Sequence, residues 1–262
     1  MSLTNKTLKD SYIDILQMDN SNSGVDSTVR KVKDGSGDES SISLSDDQFV
    51  VKPVDGDTVA AMLVQNKSGD IVLRVDTNNQ LVYGSGNIVN TQYAYFGQQS
   101  ANENFTANTH HPIPFQTYNA TTTLASPMNF GTSTDPASSF TTSNSAGSSA
   151  ADLVPHLWYV ADNISIDAVY SIEGADAATG DTTRMHLFSY DFTSGSTSAL
   201  TNGTLVAHNS DVTNDGNEQS YLSTWTVDSA AVTAGKVILA FLRSDSVNSD
   251  YSISIKIKYH LT

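Results

Sequence analysis

The sequence contains no cysteine. That excludes disulfide scaffolds, thiolate zinc sites, iron–sulfur clusters and cysteine nucleophiles. Basic residues are also scarce: Lys and Arg total 13 against 28 Asp and Glu, a formal net charge of -15. A duplex phosphate backbone repels such a surface, so no nucleic-acid partner is expected. Attraction to an anionic membrane fails for the same reason. No stretch approaches the roughly 20 apolar residues of a membrane span, so no membrane insertion is expected. The opening MSLTNKTLKDSYIDIL lacks a charged segment followed by a long apolar one, so a secretory signal is not expected.

Only 16% of the 262 residues are charged and 38% are hydrophobic. Ser, Thr, Asn, Asp and Gly dominate the remainder. They favour turns and strand edges and form helices poorly, so the composition leans to an all-β, turn-rich protein. A chain of this length can bury about three-quarters of its unfolded surface and needs no staple.

Three regions follow from the pattern. Residues 1–24 read as an arm. Within 4–20 the apolar side chains Leu8, Tyr12, Ile15 and Leu16 fall near one helical face, while Ile13 and Met18 lie off it. A short amphipathic segment at a terminus needs something to pack against, either its own domain or another protein. Residues 25–87 read as a hairpin-rich stem. STVRKVK, SSISLS, QFVVKP, AAMLVQN, IVLRVDT and LVYGSG alternate with the turns DGSGD, VDGD, KSGD and NNQ. A lone hairpin is marginal in water. Such strands must pack on a larger domain or wrap around copies of themselves, and Leu63, Val72, Val75 and Leu81 are the side chains expected to pack across chains.

Residues 88–262 read as a β head, with core strands in 155–262. Between them FGTSTDPASSFTTSNSAGSSAAD is a long polar run, expected either to pack against a neighbouring chain or to form a flexible surface loop. The final strand YSISIKIKYHL alternates strictly. Tyr251, Ile253, Ile255, Ile257, Tyr259 and Leu261 face one way, and Ser252, Ser254, Lys256, Lys258 and His260 the other. VILAFL is apolar on both faces, which suits a central strand covered on each side. The spacing of strands and turns predicts a β-sandwich of jelly-roll or immunoglobulin-like type.

Catalytic signatures are missing. There is no G-x-S-x-G elbow, no S-x-x-K with partner motifs, no G-x-x-x-x-G-K-[ST] and no G-x-G-x-x-G. His110-His111 reads as a solvent-facing pair before Pro112, with a metal on a trimer axis as the alternative. Asp211 to Glu218 does not match the calcium-loop spacing and reads as a hairpin turn, as do Asp34, Asp38 and Glu39. Trp158 and Trp225 lie mid-strand and read as core, with sugar stacking as the alternative. A pair of acids for glycoside cleavage could come from anywhere among 28 acids, but polysaccharide-cleaving spikes are long repeat proteins and no such repeat is present. No catalytic residue, cofactor or metal site is assigned.

The segments Asn5-Lys6-Thr7-Leu8-Lys9-Asp10-Ser11-Tyr12, Ile15 to Ser21, Gly24 to Arg30 and Val32 to Gly35 resemble the N-terminus of virion structural proteins of marine tailed bacteriophages. Gly69 to Thr77, with Asn90-Thr91-Gln92-Tyr93, is similar to the hairpins of their fibre stems. Ser244 to Tyr251 and Ile257 to Leu261 are similar to their head domains. The resemblance implies a homotrimer on the virion surface, made in the bacterial cytoplasm. It implies an N-terminal end that docks on a capsid or tail protein through Leu8, Tyr12, Ile15 and Leu16, and a distal jelly-roll-like head able to touch a host surface glycan. A head fibre or capsid decoration protein is the first reading, because 262 residues is short for a tail fibre. A short tail fibre, a polysaccharide-cleaving tailspike and a bacterial carbohydrate-binding module are the alternatives.

Overall fold

Local turn chemistry builds the first part of the chain twice over. In the computed structural model, which describes residues 15–21, 23–98, 106–117, 128, 130–141, 150–176, 179–216, 218–246 and 250–262, Asp34 Oδ1 accepts from the backbone N–H groups of Ser36 and Asp38, each at 2.9 Å. Asn66 Oδ1 accepts from Ser68 and Asp70, again at 2.9 Å each. Both turns then place a glycine at positive φ, Gly37 at 94° and Gly69 at 91°. A side-chain oxygen that stands in for a backbone acceptor, followed by a left-handed glycine, reverses the chain into a hairpin. The motif [D/N]-x-S-G-D is therefore one hairpin device used twice.

The chain divides into two units, Met1–Asn90 and Thr91–Thr262. The first holds two four-stranded antiparallel sheets. One joins β1 (Gln17–Met18), β2 (Arg30–Lys33), β3 (Glu39–Leu44) and β4 (Phe49–Val51). The other joins β5 (Met62–Gln65), β6 (Ile71–Asp76), β7 (Leu81–Gly84) and β8 (Asn87–Ile88). The helix expected over 4–20 is corrected where the chain is described: Gln17 and Met18 are extended and pair with Lys33 and Val32. The free edge of β2 offers backbone partners that a short isolated helix cannot match. Leu8 and Tyr12 lie outside the described residues.

The second unit is a two-sheet stack. Its strands are β9 (Thr91–Gln98), β10 (His110–Ile113), β11 (Gln116–Thr117), β12 (Trp158–Tyr159), β13 (Ile164–Asp176), β14 (Thr182–Phe192), β15 (Leu200–His208), β16 (Val212–Thr213), β17 (Glu218–Thr224), β18 (Thr226–Val227), β19 (Ala231–Val232), β20 (Lys236–Ser244) and β21 (Asp250–Leu261). One sheet runs β10-β20-β14-β15-β18 and the other β11-β9-β21-β13-β17. The pairing is nested: β9 with β21, β10 with β20, β13 with β17, β14 with β15. A single helical turn, α1 (Ala150–Leu153), runs into a 3-10 turn, Val154–His156.

The alternation of the last two long strands explains the core. From β21, Tyr251, Ile253, Ile255 and Ile257 point inward and are buried. They meet Ile238, Ala240 and Leu242 of β20, with Trp158 and Trp225, in one cluster between the sheets. Val237, Leu239 and Phe241, the alternate residues of β20, point the other way into a second cluster with Phe130, Phe140, Leu153, Phe188 and Tyr190. So β20 is covered on each side, as its composition requires.

What covers its outer side is the long polar run. The expectation that this run meets a neighbour or stays loose is corrected for 130–141, which packs on its own head together with Met128 just before it. Phe130 N donates to His110 O at 3.1 Å, Phe140 N to Leu200 O at 2.9 Å, and Tyr190 Oη to Ala137 O at 2.8 Å. Gly203 makes this closeness possible, since a Cβ there would lie 2.5 Å from Tyr190 Cε1 and 2.9 Å from Ser138 Cα. Its apolar residues, Met128, Phe130 and Phe140, are buried, so the strap gains about 25 cal/mol for each Å² of apolar surface removed from water.

Candidate functional site

Among the described residues of the first unit, no core lies beneath its second sheet. Cross-strand register puts Met62, Val75 and Val82 in one row and Val64 with Leu73 in the next, all on one face. The opposite face carries the row Leu63, Arg74, Tyr83 and the pair Asp76 and Leu81, with the Arg74 guanidinium 4.0 Å from the Tyr83 ring. The four stem residues singled out from sequence are thus split: Val75 lies on the aliphatic face, Leu63, Val72 and Leu81 on the other. Met62, Leu63, Val64, Ile71, Val72 and Val82 are all exposed. Among the described residues of this unit, Val32 is the one buried apolar side chain. Its ion pairs, such as Lys33 with Asp19 at 3.0 Å and Lys31 with Glu39 at 3.2 Å, are solvent-facing and contribute little. Two four-stranded sheets without a core are not a stable unit in water. Ile15 and Leu16, the described part of the stripe expected to dock, are exposed as well.

The head holds a row of imidazoles. His110 and His186 lie 5.1 Å apart, ring centre to ring centre, and His186 and His208 6.5 Å apart. The expected solvent-facing histidine pair is corrected: His110 and His111 are both buried. The strap that starts at Met128 closes over His110, whereas His111 faces the other side of β10, opposite Leu242 in register, and accepts from Thr106 N at 3.3 Å. Sequence could not supply this, since the cover lies some 20 residues away along the chain. Gly131 O accepts from His110 Nδ1 at 3.1 Å, and Asp135 Oδ1 lies 3.4 Å from His186 Nε2. The remaining ring nitrogens, His110 Nε2 and His186 Nδ1, are buried and have no partner among the described residues. Burial holds both rings neutral, with His110 lowered to about 4 and His186 to about 3. Among the described residues, no three of His, Asp or Glu are set to hold a metal ion.

Other candidates resolve into structure. Trp158 stacks on Phe115 and tilts against Tyr259, and Trp225 Nε1 donates to Ser171 Oγ at 2.8 Å, so both tryptophans are core. Asp211 pairs with Arg184 at 2.9 Å. His260, placed by alternation on the outer row, is buried instead, because a bulge in β13 swings Asp167 against its Nδ1 at 2.8 Å. No family model and no curated protein matches the chain.

Glu173 is the acid with the most perturbed surroundings. It is sealed between the sheets, takes a 2.6 Å hydrogen bond from Thr183 Oγ1, and leaves Oε2 without a partner among the described residues. Burial pushes its carboxyl up, against the pull of the Thr183 hydroxyl. A group raised in the folded state contributes stability below its ordinary pKa and loses it as pH rises through the folded value. Glu173 thus opposes the buried histidines, and Glu173→Gln is expected to steepen the rise in head stability from pH 5 to pH 7, read from urea melts. An unchanged pH slope contradicts the assignment. At the surface, a cleft of about 330 Å³ lies between α1 and the turn after β14. Leu153, Leu157 and Phe192 give it an apolar floor, and Thr193, Ser196 and Thr197 a hydroxyl rim.

Proposed function

We propose that this chain is a bacteriophage virion structural protein, a homotrimeric head fibre or capsid decoration protein. Residues 1–24 dock on the particle, 25–87 form the stem and 88–262 a jelly-roll head that faces outward. The coreless stem carries this reading. Its aliphatic face, Met62, Val64, Leu73, Val75 and Val82, needs partners that the described residues of this unit do not provide. Three copies turned inward supply them to one another and leave the acidic residues outside. The nested pairing of eight head strands, first with last across two sheets, supports the jelly roll, an architecture shared by capsid and lectin domains.

The protein acts by binding, not by catalysis. Glu173 is shut inside the sandwich, away from any substrate. The cleft at Phe192 has the mixed apolar and hydroxyl lining that suits one face of a host surface sugar. Immunogold labelling of a C-terminal tag on phage particles tests the role. Label distributed over the capsid is expected. Label confined to the tail tip makes the chain a tail fibre, and unlabelled particles that carry no copy of it overturn the virion role.

A further inference from the structure

The two outer faces of the head differ. The strap covers the outer face of the β10-β20-β14-β15 sheet. The other outer face is apolar and, among the described residues, has no such cover. Register places Tyr95, Lys256, Tyr170 and Thr224 in one rung across β9, β21, β13 and β17. Gly97, Ser254, Ile172 and Leu222 form the next, and Tyr93 sits opposite Lys258. Residues directly opposite in register point to the same side. Tyr93 is 47% exposed, Tyr95 44%, Tyr170 40%, Ile172 57% and Leu222 76%. Monomeric proteins seldom leave such a patch in water.

Charge identifies the occupant. These rungs carry no carboxylate, although the chain has 28 acids. Their charges are two lysines, and Lys256 Nζ lies 4.5 Å above the Tyr93 ring and 6.0 Å from Tyr95. The aromatic faces offset part of the cost of burying that ammonium. Elsewhere, two copies each carrying -15 repel one another. Here an acidic neighbour is attracted, and an apolar one is accommodated.

We propose that this face of the six-stranded sheet is where the head packs against a neighbouring copy of the same chain. The inference rests on the trimeric reading above, which the stem carries independently. A shared stem would hold the heads at high local concentration, so a modest patch suffices. It also explains why, among the described residues, one outer face has its own cover and the other has none.

The absence of cysteine gives a clean test on the full chain. Leu222→Cys and Ile172→Cys place one thiol each on the face, and Val154→Cys, at a site 65% exposed and off the face, serves as control. Reaction with a bulky maleimide is followed by mass, with light scattering on the same samples. In a trimer, the two face thiols are expected to react at least about tenfold more slowly than the control, and to match it in urea. Loss of the trimer by either face substitution, with the head still folded, supports the same contact. Equal rates in a trimeric sample overturn the face and leave the trimer standing. A monomeric parent chain overturns the reading beneath it.

Discussion

Lowering the pH from 7 to 5 is expected to cost the head several kcal/mol. His110 and His156 are held down to about 4 and His186 to about 3, in each case first by burial. Gly131 O at His110 and Asp152 O at His156 pull the other way and do not win. For groups depressed in the folded state, the stabilisation is complete above the unfolded value of 6.5 and is lost as pH falls toward the folded ones. At pH 5 each imidazole then costs about 2 kcal/mol, about 6 for the three. That rivals the whole stability of an ordinary domain, about 5–15 kcal/mol. Glu173 moves in the opposite direction and returns part of the loss. Urea melts at the two pH values, followed by Trp158 and Trp225 fluorescence, measure it. Equal stabilities would mean the imidazoles are not buried neutral.

Ile255→Ala is expected to destabilise the head by about 2–5 kcal/mol through lost burial and a cavity. Ile255 is fully buried, opposite Phe96 and Ser171 and within the cluster between the sheets. Lys256→Ala, one residue on, points to the outer face and should change the melt of the head by no more than about 1 kcal/mol. Similar losses at both positions would mean that β21 is not half-buried.

That contrast was legible in the sequence because period-two alternation survives any strand environment with one covered side. The two faces of VILAFL were legible for the same reason, and the turns through Gly37 and Gly69 because their chemistry is local. What stayed hidden depends on distant residues. His110 is buried by a strap anchored through Gly131 and Ala137, and its polar sequence gives no hint that three aromatic or aliphatic side chains, Met128, Phe130 and Phe140, pin it down. His260 is turned from expectation by a bulge at Asp167 in another strand. Gln17 and Met18 become strand because β2 has an edge to fill. The stem residues Leu63, Val72, Val75 and Leu81 were legible as apolar strand positions, but not their division between two faces. That division depends on register, which short strands do not announce.

The trimer itself is tested most directly by the mass of the full chain in solution. At micromolar concentration, light scattering is expected to give three 28.0 kDa chains, about 84 kDa. Carboxylates placed on the aliphatic stem face, Leu73→Asp with Val75→Asp, should reduce that mass to one chain while the head keeps its cooperative melt. A stable 28.0 kDa species from the unsubstituted protein, with its stem strands intact, would contradict the account.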